Sequence, residues 1–207
     1  MPLRAANPLD RTKRFYETNP SAYSEATSKR DLENTLAEFA RSLHAGAWVL
    51  DLGCGAGHDL ISFRRHLMDP VGLDYAEPMA RLARRMAHVP VVVADMRELP
   101  FPSGTFAGVW ASASLHHLSQ SDLARALAEC RRILAARGRF FASVKRGCGE
   151  LVDDRGRYFL LQEKESWANA LATAGFNITS LQSNDSVASH DDVSEVTRWL
   201  NSLAVAA

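Results

Sequence analysis

The chain has 207 residues, of which 46% are hydrophobic and 23% are charged, a composition that fits one globular domain with a single core. Lys and Arg together number 24, as do Asp and Glu, so the formal net charge is zero. Proteins that hold a nucleic acid through many phosphate contacts usually carry a basic excess, so the composition argues against a nucleic-acid partner.

Targeting and anchoring segments are not evident in the pattern. Residues 1–10 lack the apolar stretch of a signal peptide, and no apolar run reaches the length of a membrane span. The cysteines, Cys54, Cys130 and Cys148, are odd in number and widely spaced, which indicates neither a disulfide framework nor a zinc site. We therefore expect a cytoplasmic protein that holds no metal.

The first part of the chain is polar and then becomes helical. Apolar residues recur at helical spacing over residues 32–43, behind Asp31, which is suited to be the N-cap. We expect residues 1–45 to form a helical cap or lid and residues 46–207 to form the core domain.

Strands and helices alternate after residue 46. The predicted strands cover residues 47–52, 71–74, 89–94, 105–112, 139–145 and 176–181, and the predicted helices cover residues 58–68, 78–87, 121–136 and 167–174. The tail over residues 195–205 fits a strand or a helix, and as a strand it fits a sheet edge because the chain ends there. This alternation predicts an α/β fold in three layers, with a mostly parallel seven-stranded sheet and helices on both faces.

The end of the first predicted strand carries a glycine-rich turn. Residues 51–57 read Asp-Leu-Gly-Cys-Gly-Ala-Gly, and glycines at alternate positions let the backbone turn sharply and approach a ligand. A nicotinamide dinucleotide site has the spacing G-x-G-x-x-G, whose third glycine would fall at His58. The Asp51 carboxylate would repel a pyrophosphate and attract a cation, which favours a cationic ligand.

Carboxylates also follow the next two strands. Asp74 is placed to accept hydrogen bonds from both hydroxyls of a ribose. Asp95 is placed to accept one from the amine of an adenine, with Ala94 and Met96 on either side of the ring. Because ligands bind at the carboxyl ends of parallel strands, these groups are expected to share one site.

These motifs resemble those of class I S-adenosylmethionine-dependent methyltransferases. Residues 99–102, 115–117 and 129–134 further resemble the ubiquinone/menaquinone-type and small-molecule subgroup, and the resemblance covers roughly residues 45–180. It implies a Rossmann-like fold, S-adenosylmethionine as the cofactor, and methyl transfer as the reaction. The cofactor site that it implies consists of Asp51, Gly53, Cys54, Gly55, Gly57, Asp74, Tyr75, Met79, Ala94, Asp95, Met96, Ala111 and Ser112. Met79 is equally compatible with an ordinary place in the core.

The end of the fourth predicted strand, residues 110–117, would then line the methyl transfer site. Amino-methyltransferases of nucleic-acid bases have an Asn/Asp-Pro-Pro-aromatic motif here, and this chain has none. Cytosine-C5 methyltransferases use a Pro-Cys nucleophile, but no cysteine in this chain follows a proline. Covalent catalysis by a cysteine is therefore not expected.

General-base candidates are Tyr23, His116 and His117. The alternative for the histidines is that His116 caps the loop by hydrogen bonding and His117 faces solvent. Two polar segments, residues 14–30 and 146–160, are expected to cover the site and hold a small organic acceptor between them.

Other functions stay open at this point. The same pattern is compatible with a protein or RNA methyltransferase and with a cofactor-binding protein that has no activity. A nicotinamide-dependent oxidoreductase is disfavoured by the glycine spacing. The residues do not indicate which atom of the acceptor is methylated.

Overall fold

The computed structural model describes residues 8–27, 32–190 and 193–207. Its helices are α1 Pro8–Thr18, α2 Pro20–Thr27, α3 Glu33–Arg41, α4 His58–Arg65, α5 Glu77–Ala87, α6 Gln120–Ile133 and α7 Lys164–Thr173, with a 3₁₀-helix at Leu115–His117. Its strands are β1 Trp48–Leu52, β2 Asp69–Asp74, β3 Val91–Val93, β4 Phe106–Ser112, β5 Leu134–Lys145, β6 Glu150–Val152, β7 Tyr158–Leu160, β8 Phe176–His190 and β9 Val193–Ala206.

The main sheet of the described chain has seven strands in the order β3-β2-β1-β4-β5-β9-β8. Strands β1 to β5 pair in parallel, whereas β9 runs antiparallel to both of its neighbours. The predicted α/β fold with a mostly parallel seven-stranded sheet is therefore confirmed. Strands β6 and β7 form a separate antiparallel hairpin, which interrupts the predicted loop over residues 146–160.

The tail is a strand, but its predicted place at the sheet edge is wrong. Strand β9 lies between β5 and β8, pairing Arg139 with Val205 on one side and Phe176 with Ala206 on the other. Leu200, Ser202 and Ala204 are buried at alternate positions, so β9 has one face that needs a core on which to pack. Strand β8 takes the edge instead and runs far beyond the predicted end at residue 181, since β9 pairs with it along its whole length.

Helices cover both faces of the sheet because successive strand residues point to opposite sides. In β1, Val49 packs in one cluster with Phe39 of α3 and Phe63 of α4. Leu50, the next residue, packs in another cluster with residues of α6 and α7, such as Leu127. Burial on both faces explains why the strands read as continuous apolar runs.

The helix ends differ slightly from the predictions. The N-cap of α6 is Ser119, whose hydroxyl accepts a hydrogen bond from the backbone N–H of Asp122, so α6 begins one residue early. Pro78 lies in the first turn of α5, where the missing backbone N–H of proline costs no hydrogen bond. Asp31, the predicted N-cap of the third helix, lies outside the described residues.

The described ranges hold neither a membrane-spanning helix nor a cluster of metal ligands. No helix there is both long enough and apolar enough to cross a membrane. No group of three or more His, Cys, Asp or Glu side chains there is placed to hold a metal ion.

Candidate active site

A cavity of about 370 Å³ opens at the carboxyl ends of the parallel strands. The predicted site residues that line it are Asp51, Gly53, Cys54, Gly55, Asp74, Tyr75, Asp95, Met96, Ser112, Tyr23 and His117. This volume lies within the range of small-molecule sites.

The glycine turn is held in place by the neighbouring strand. The backbone N–H groups of Gly53 and Cys54 both donate to the carbonyl of Leu73, at 2.7 and 3.0 Å. Gly53 has a φ of +77°, and a Cβ at this position would lie 2.4 Å from the Cβ of Ser114. A side chain is therefore excluded at Gly53 both by its left-handed backbone and by the loop after β4.

Asp74 ties the end of β2 to the glycine turn. One carboxylate oxygen accepts from the N–H of Gly55 and the other from the N–H of Ala76, each at 2.9 Å. Burial raises the pKa of Asp74 to about 6, against the lowering effect of these backbone hydrogen bonds. Each carboxylate oxygen has a further lone pair, so both can still accept a hydrogen bond from a ligand.

Buried carboxylates make this end of the cavity electronegative. Asp51 is 3% exposed, and desolvation together with the charges of Asp59 and Asp74 holds its pKa well above the ordinary value. Asp59 accepts a hydrogen bond from the indole of Trp110 at 2.7 Å. A cation bound here would relieve the repulsion among these carboxylates, so the site fits a ligand with a positive charge.

Asp95 has a cationic partner that the sequence-based interpretation did not include. The Arg97 guanidinium donates to both Asp95 oxygens, with the shortest distance 2.6 Å, and also reaches Asp122 at 3.0 Å. Partial burial opposes ionisation of Asp95, but hydrogen bonds from Arg97 outweigh it and hold its pKa below the ordinary value. Arg97 thus fixes the orientation of the carboxylate predicted to bind adenine.

Some predicted cofactor residues lie behind the cavity wall. Met79 is 1% exposed and packs with Ala56 and Ala76, so it has an ordinary place in the core, which is the alternative given above. Ala111 is fully buried in the main core, and Ala94 packs against that core.

The N-terminal helices cover the cavity. Thr12 of α1 accepts a hydrogen bond from the backbone N–H of Tyr158 in β7, at 2.9 Å. The Lys13 ammonium lies 4.2 Å from the centre of the Tyr75 ring. Helix α2 is held by Ser24, whose hydroxyl and carbonyl lie 3.2 Å from Nε2 of His58, at the start of α4.

The two histidines after β4 are both buried, so the prediction that His117 faces solvent is wrong. His117 is 8% exposed, and its ring nitrogens contact the carbonyl of Tyr158 and the hydroxyl of Tyr16 at 2.7 and 2.8 Å. His116 is 3% exposed and packs against the rings of His117, Phe159 and Trp199. The chain buries both because hairpin β6–β7 folds over them.

Tyr23 lines the cavity from α2. Its ring meets that of Tyr16 edge-on, with the ring centres 4.9 Å apart.

Other residues at the site were not predicted from sequence. They are Thr12, Lys13, Asp59 and Arg97. The spacing of Arg97 two residues after Asp95 was a usable signal, since a turn brings such residues together. The contacts of Thr12 and Lys13 join distant parts of the chain and leave no local pattern.

Residues 49–138 match the family model for a methyltransferase domain. Over this region the chain is similar to class I S-adenosylmethionine-dependent methyltransferases.

Two curated relatives illustrate the match. The chain is 32% identical over 133 residues to an uncharacterised protein of Methanocaldococcus jannaschii, covering 64% of this chain and 51% of that protein. It is also 32% identical over 136 residues to a demethylmenaquinone methyltransferase of Thermus thermophilus, covering 56% of this chain and 61% of that enzyme. The chain thus spans between half and two thirds of the length of these relatives.

The likeness of fold extends beyond this region. A solved structure of Burkholderia thailandensis 1,6-didemethyltoxoflavin-N1-methyltransferase, with its substrate and S-adenosylhomocysteine bound, superimposes with a TM-score of 0.78. It covers 100% of this chain and 93% of that one, at 21% identity. At this identity the likeness shows a shared fold.

Proposed function

We propose that this chain transfers the methyl group of S-adenosylmethionine to a small organic acceptor bound over the carboxyl end of β4. The proposal rests on one observation, which is that acidic strand ends and aromatic residues of the N-terminal helices line the same cavity. The acidic strand ends Asp51 and Asp74 line it on one side, and the aromatic residues Tyr16 and Tyr23 of the N-terminal helices line it on the other. A cavity roofed by the chain's own helices suits a small acceptor better than a protein or RNA surface.

The cofactor is proposed to lie along the acidic strand ends. The carboxylates around Asp51 and the glycine turn would hold its cationic methionine end, and Asp74 would bind the ribose hydroxyls. Asp95 and Met96 would meet the adenine. Gly57, Met79, Ala94 and Ala111 would then support this wall from behind.

Residues 1–45 are proposed to act as the lid and residues 46–207 as the core. In the described part of the lid, Thr12 and Lys13 contact β7 and Tyr75 of the core. Such a cover would exclude water from the reacting groups.

The bound cofactor supplies a methyl group that is already activated for displacement. The protein's task is to hold the acceptor atom in line with that methyl group, and alignment of this kind contributes roughly 7–11 kcal/mol. We propose Tyr23, His116 and His117 as the candidates for assisting removal of a proton from the acceptor. Of these, Tyr23 and His117 line the cavity.

The relatives support a small acceptor. The Thermus thermophilus enzyme is named for demethylmenaquinone and the Burkholderia thailandensis enzyme for 1,6-didemethyltoxoflavin, both small organic compounds.

Two measurements test the proposal. Calorimetry should show binding of S-adenosylmethionine and S-adenosylhomocysteine but not of NAD. A panel of small phenols, N–H heterocycles and thiols, with bulk tRNA and protein as comparison acceptors, should then receive label from methyl-labelled cofactor only in the small-molecule samples. Binding of NAD without S-adenosyl ligands would contradict the cofactor assignment, and labelling of tRNA or protein alone would contradict the acceptor class.

A further inference from the structure

A chain of hydrogen bonds links the cavity to a buried backbone carbonyl through His117. Nδ1 of His117 lies 2.7 Å from the carbonyl oxygen of Tyr158, and Nε2 lies 2.8 Å from the hydroxyl of Tyr16. Both Tyr16 and His117 line the cavity. The chain therefore runs from the space proposed for the acceptor into the interior.

The direction of each hydrogen bond follows from the chemistry of its partners. A carbonyl oxygen can only accept, so Nδ1 of His117 carries the hydrogen. Burial lowers the pKa of His117 to about 4, so the ring is neutral near pH 7 and Nε2 has a free lone pair. Nε2 therefore accepts the hydroxyl hydrogen of Tyr16. The Tyr16 oxygen also shares side-chain hydrogen bonds with Tyr23 and Arg157, and a ligand in the cavity would take the place of one of these partners.

We propose that Tyr16 and His117 form a proton relay that takes the proton from an O–H or N–H group of the methyl acceptor. As the acceptor atom bonds to the methyl carbon and the carbon–sulfur bond breaks, the acceptor's proton passes to the Tyr16 oxygen. The Tyr16 hydroxyl proton passes at the same time to Nε2 of His117, which becomes an imidazolium. This inference rests on the proposed methyl transfer and adds the acceptor class, a weakly acidic phenol, enol or N–H heterocycle.

Titratable groups around the dyad of Tyr16 and His117 allow the proton to pass to His117 without holding it there. Burial, and after it the neighbouring Tyr23, raise the pKa of Tyr16 well above its ordinary value, against the opposing effect of Arg157, which is ion-paired with Asp153 at 2.7 Å. Tyr16 therefore stays a neutral hydroxyl that passes a proton on. The positive charges of Arg157 and Lys145 disfavour the imidazolium of His117, whereas Asp153 and the Tyr158 carbonyl favour it. The ring centre of His116 lies 4.5 Å from that of His117. The net effect lowers the affinity of His117 for the proton, which can then leave to solvent when the product departs.

The geometry separates this pair from the other candidates for a base. Tyr23 also lines the cavity, but its hydrogen bond and its edge-on ring contact are to Tyr16, and it is the Tyr16 hydroxyl that meets Nε2 of His117. His116 is enclosed by Phe159 and Trp199, away from the cavity. Tyr16 is therefore assigned the contact with the acceptor, and His117 acts through it.

The test compares acceptors that differ in acidity. Wild type, Tyr16→Phe and His117→Asn are assayed at mildly alkaline pH with methyl-labelled S-adenosylmethionine and either phenol, benzimidazole or 4-nitrophenol, which is largely ionised there. His44→Gln, a histidine at an exposed turn, is the matched control. We expect both dyad variants to lose about 10²–10⁴-fold in kcat with phenol and benzimidazole, and to change little with 4-nitrophenol.

Three outcomes would overturn the relay. Equal losses with phenol and 4-nitrophenol would show that the dyad only holds α1 over the cavity. Comparable transfer to a tertiary amine or a thioether would show that no proton needs to be removed. Absence of transfer to every proton-bearing probe, while S-adenosylhomocysteine binds, would exclude the acceptor class. Failure to bind S-adenosylhomocysteine would instead overturn the proposed function itself.

A spectroscopic measurement keeps the relay testable if a variant does not fold. Nitrogen NMR of histidine-labelled wild-type protein at neutral pH should show His117 protonated at Nδ1 and unprotonated at Nε2. In Tyr16→Phe the Nε2 signal should shift as its hydrogen bond is lost. A proton on Nε2 at neutral pH in the wild type would contradict the relay.

Discussion

The two sides of the cavity are built in different ways. The cofactor side consists of strand ends and the glycine turn, which backbone hydrogen bonds join to one another. For example, the N–H groups of Gly53 and Cys54 donate to the carbonyl of Leu73. The acceptor side consists of α1, α2 and the 3₁₀-helix, with hairpin β6–β7 packed behind them, and side chains distant in sequence join these elements. Tyr16 and His117 are 101 residues apart, and Thr12 and Tyr158 are 146 apart.

This difference explains why one side suits a constant ligand and the other a variable one. A backbone-built wall depends on glycines and short motifs, so it recognises one constant ligand. A wall built from side chains on separate elements can be altered one residue at a time, which suits recognition of a variable acceptor.

The largest expected effect is on the cofactor side, from Gly53→Ala. The new methyl group would lie 2.4 Å from the Cβ of Ser114, and the residue would keep a left-handed backbone. We expect a loss of about 2–5 kcal/mol in the free energy of unfolding, from overpacking and backbone strain, together with loss of S-adenosylhomocysteine binding. Thermal denaturation and calorimetry would measure both.

Gly104→Ala is the matched control for this substitution. Gly104 has a similar φ of +70°, but a Cβ there would meet no atom within 4 Å. It should lose only the strain contribution, about 1–2 kcal/mol, and keep ligand binding. Equal losses in the two variants would show that the contact with Ser114 is unimportant.

The two sides should also respond to pH in opposite directions. The pKa of Asp74 is raised from 3.8 to about 6, so its contribution to stability is present below about 3.8 and is lost as the pH rises through 6. The pKa of His117 is lowered from 6.5 to about 4, so its contribution is present above 6.5 and is lost as the pH falls through 4. Each contribution is on the order of 3 kcal/mol.

Variants that remove one group at a time would separate these contributions. Between pH 4 and 6, the stability of Asp74→Ala should rise more steeply with pH than that of the wild type. The stability of His117→Asn should rise less steeply or fall. Denaturant unfolding across this range would measure the slopes, and parallel slopes in all three proteins would contradict both assignments.

Asp74→Ala should mainly weaken cofactor binding. Each hydrogen bond from a ribose hydroxyl to this carboxylate is expected to contribute about 1.5–3 kcal/mol, so the Kd should rise at least about tenfold. The substitution also releases the N–H groups of Gly55 and Ala76, so some stability is lost as well. Asp69→Ala, at the exposed start of β2, should leave the Kd unchanged, and an unchanged Kd in Asp74→Ala would remove Asp74 from the site.

The smallest expected effect on stability is that of Tyr16→Phe, on the acceptor side. It removes the hydrogen bonds of the hydroxyl with His117, Tyr23 and Arg157 and keeps the ring packing, so the loss should be about 0.5–1.5 kcal/mol for each hydrogen bond that water does not replace. The Kd for S-adenosylhomocysteine should stay close to that of the wild type. A large rise in that Kd would show that α1 holds the cofactor and that the two sides are not separate.

Short-range patterns were sufficient to predict the cofactor side. The turn at residues 51–57 and the carboxylates Asp74 and Asp95 each follow a buried strand, and parallel strands bring their carboxyl ends together. The partner of Asp95 was missed, because the pairing with Arg97 depends on the local turn rather than on a strand end.

Apolar periodicity and chain connectivity are sufficient to predict the α/β layers, the parallel strands and the edge at which the cavity opens. The insertion of β9 between β5 and β8, and the contact of Tyr16 with His117, appear only in the folded chain. Strand order and side-chain contacts across more than a hundred residues depend on which buried faces fit together, and neighbouring residues do not encode that fit.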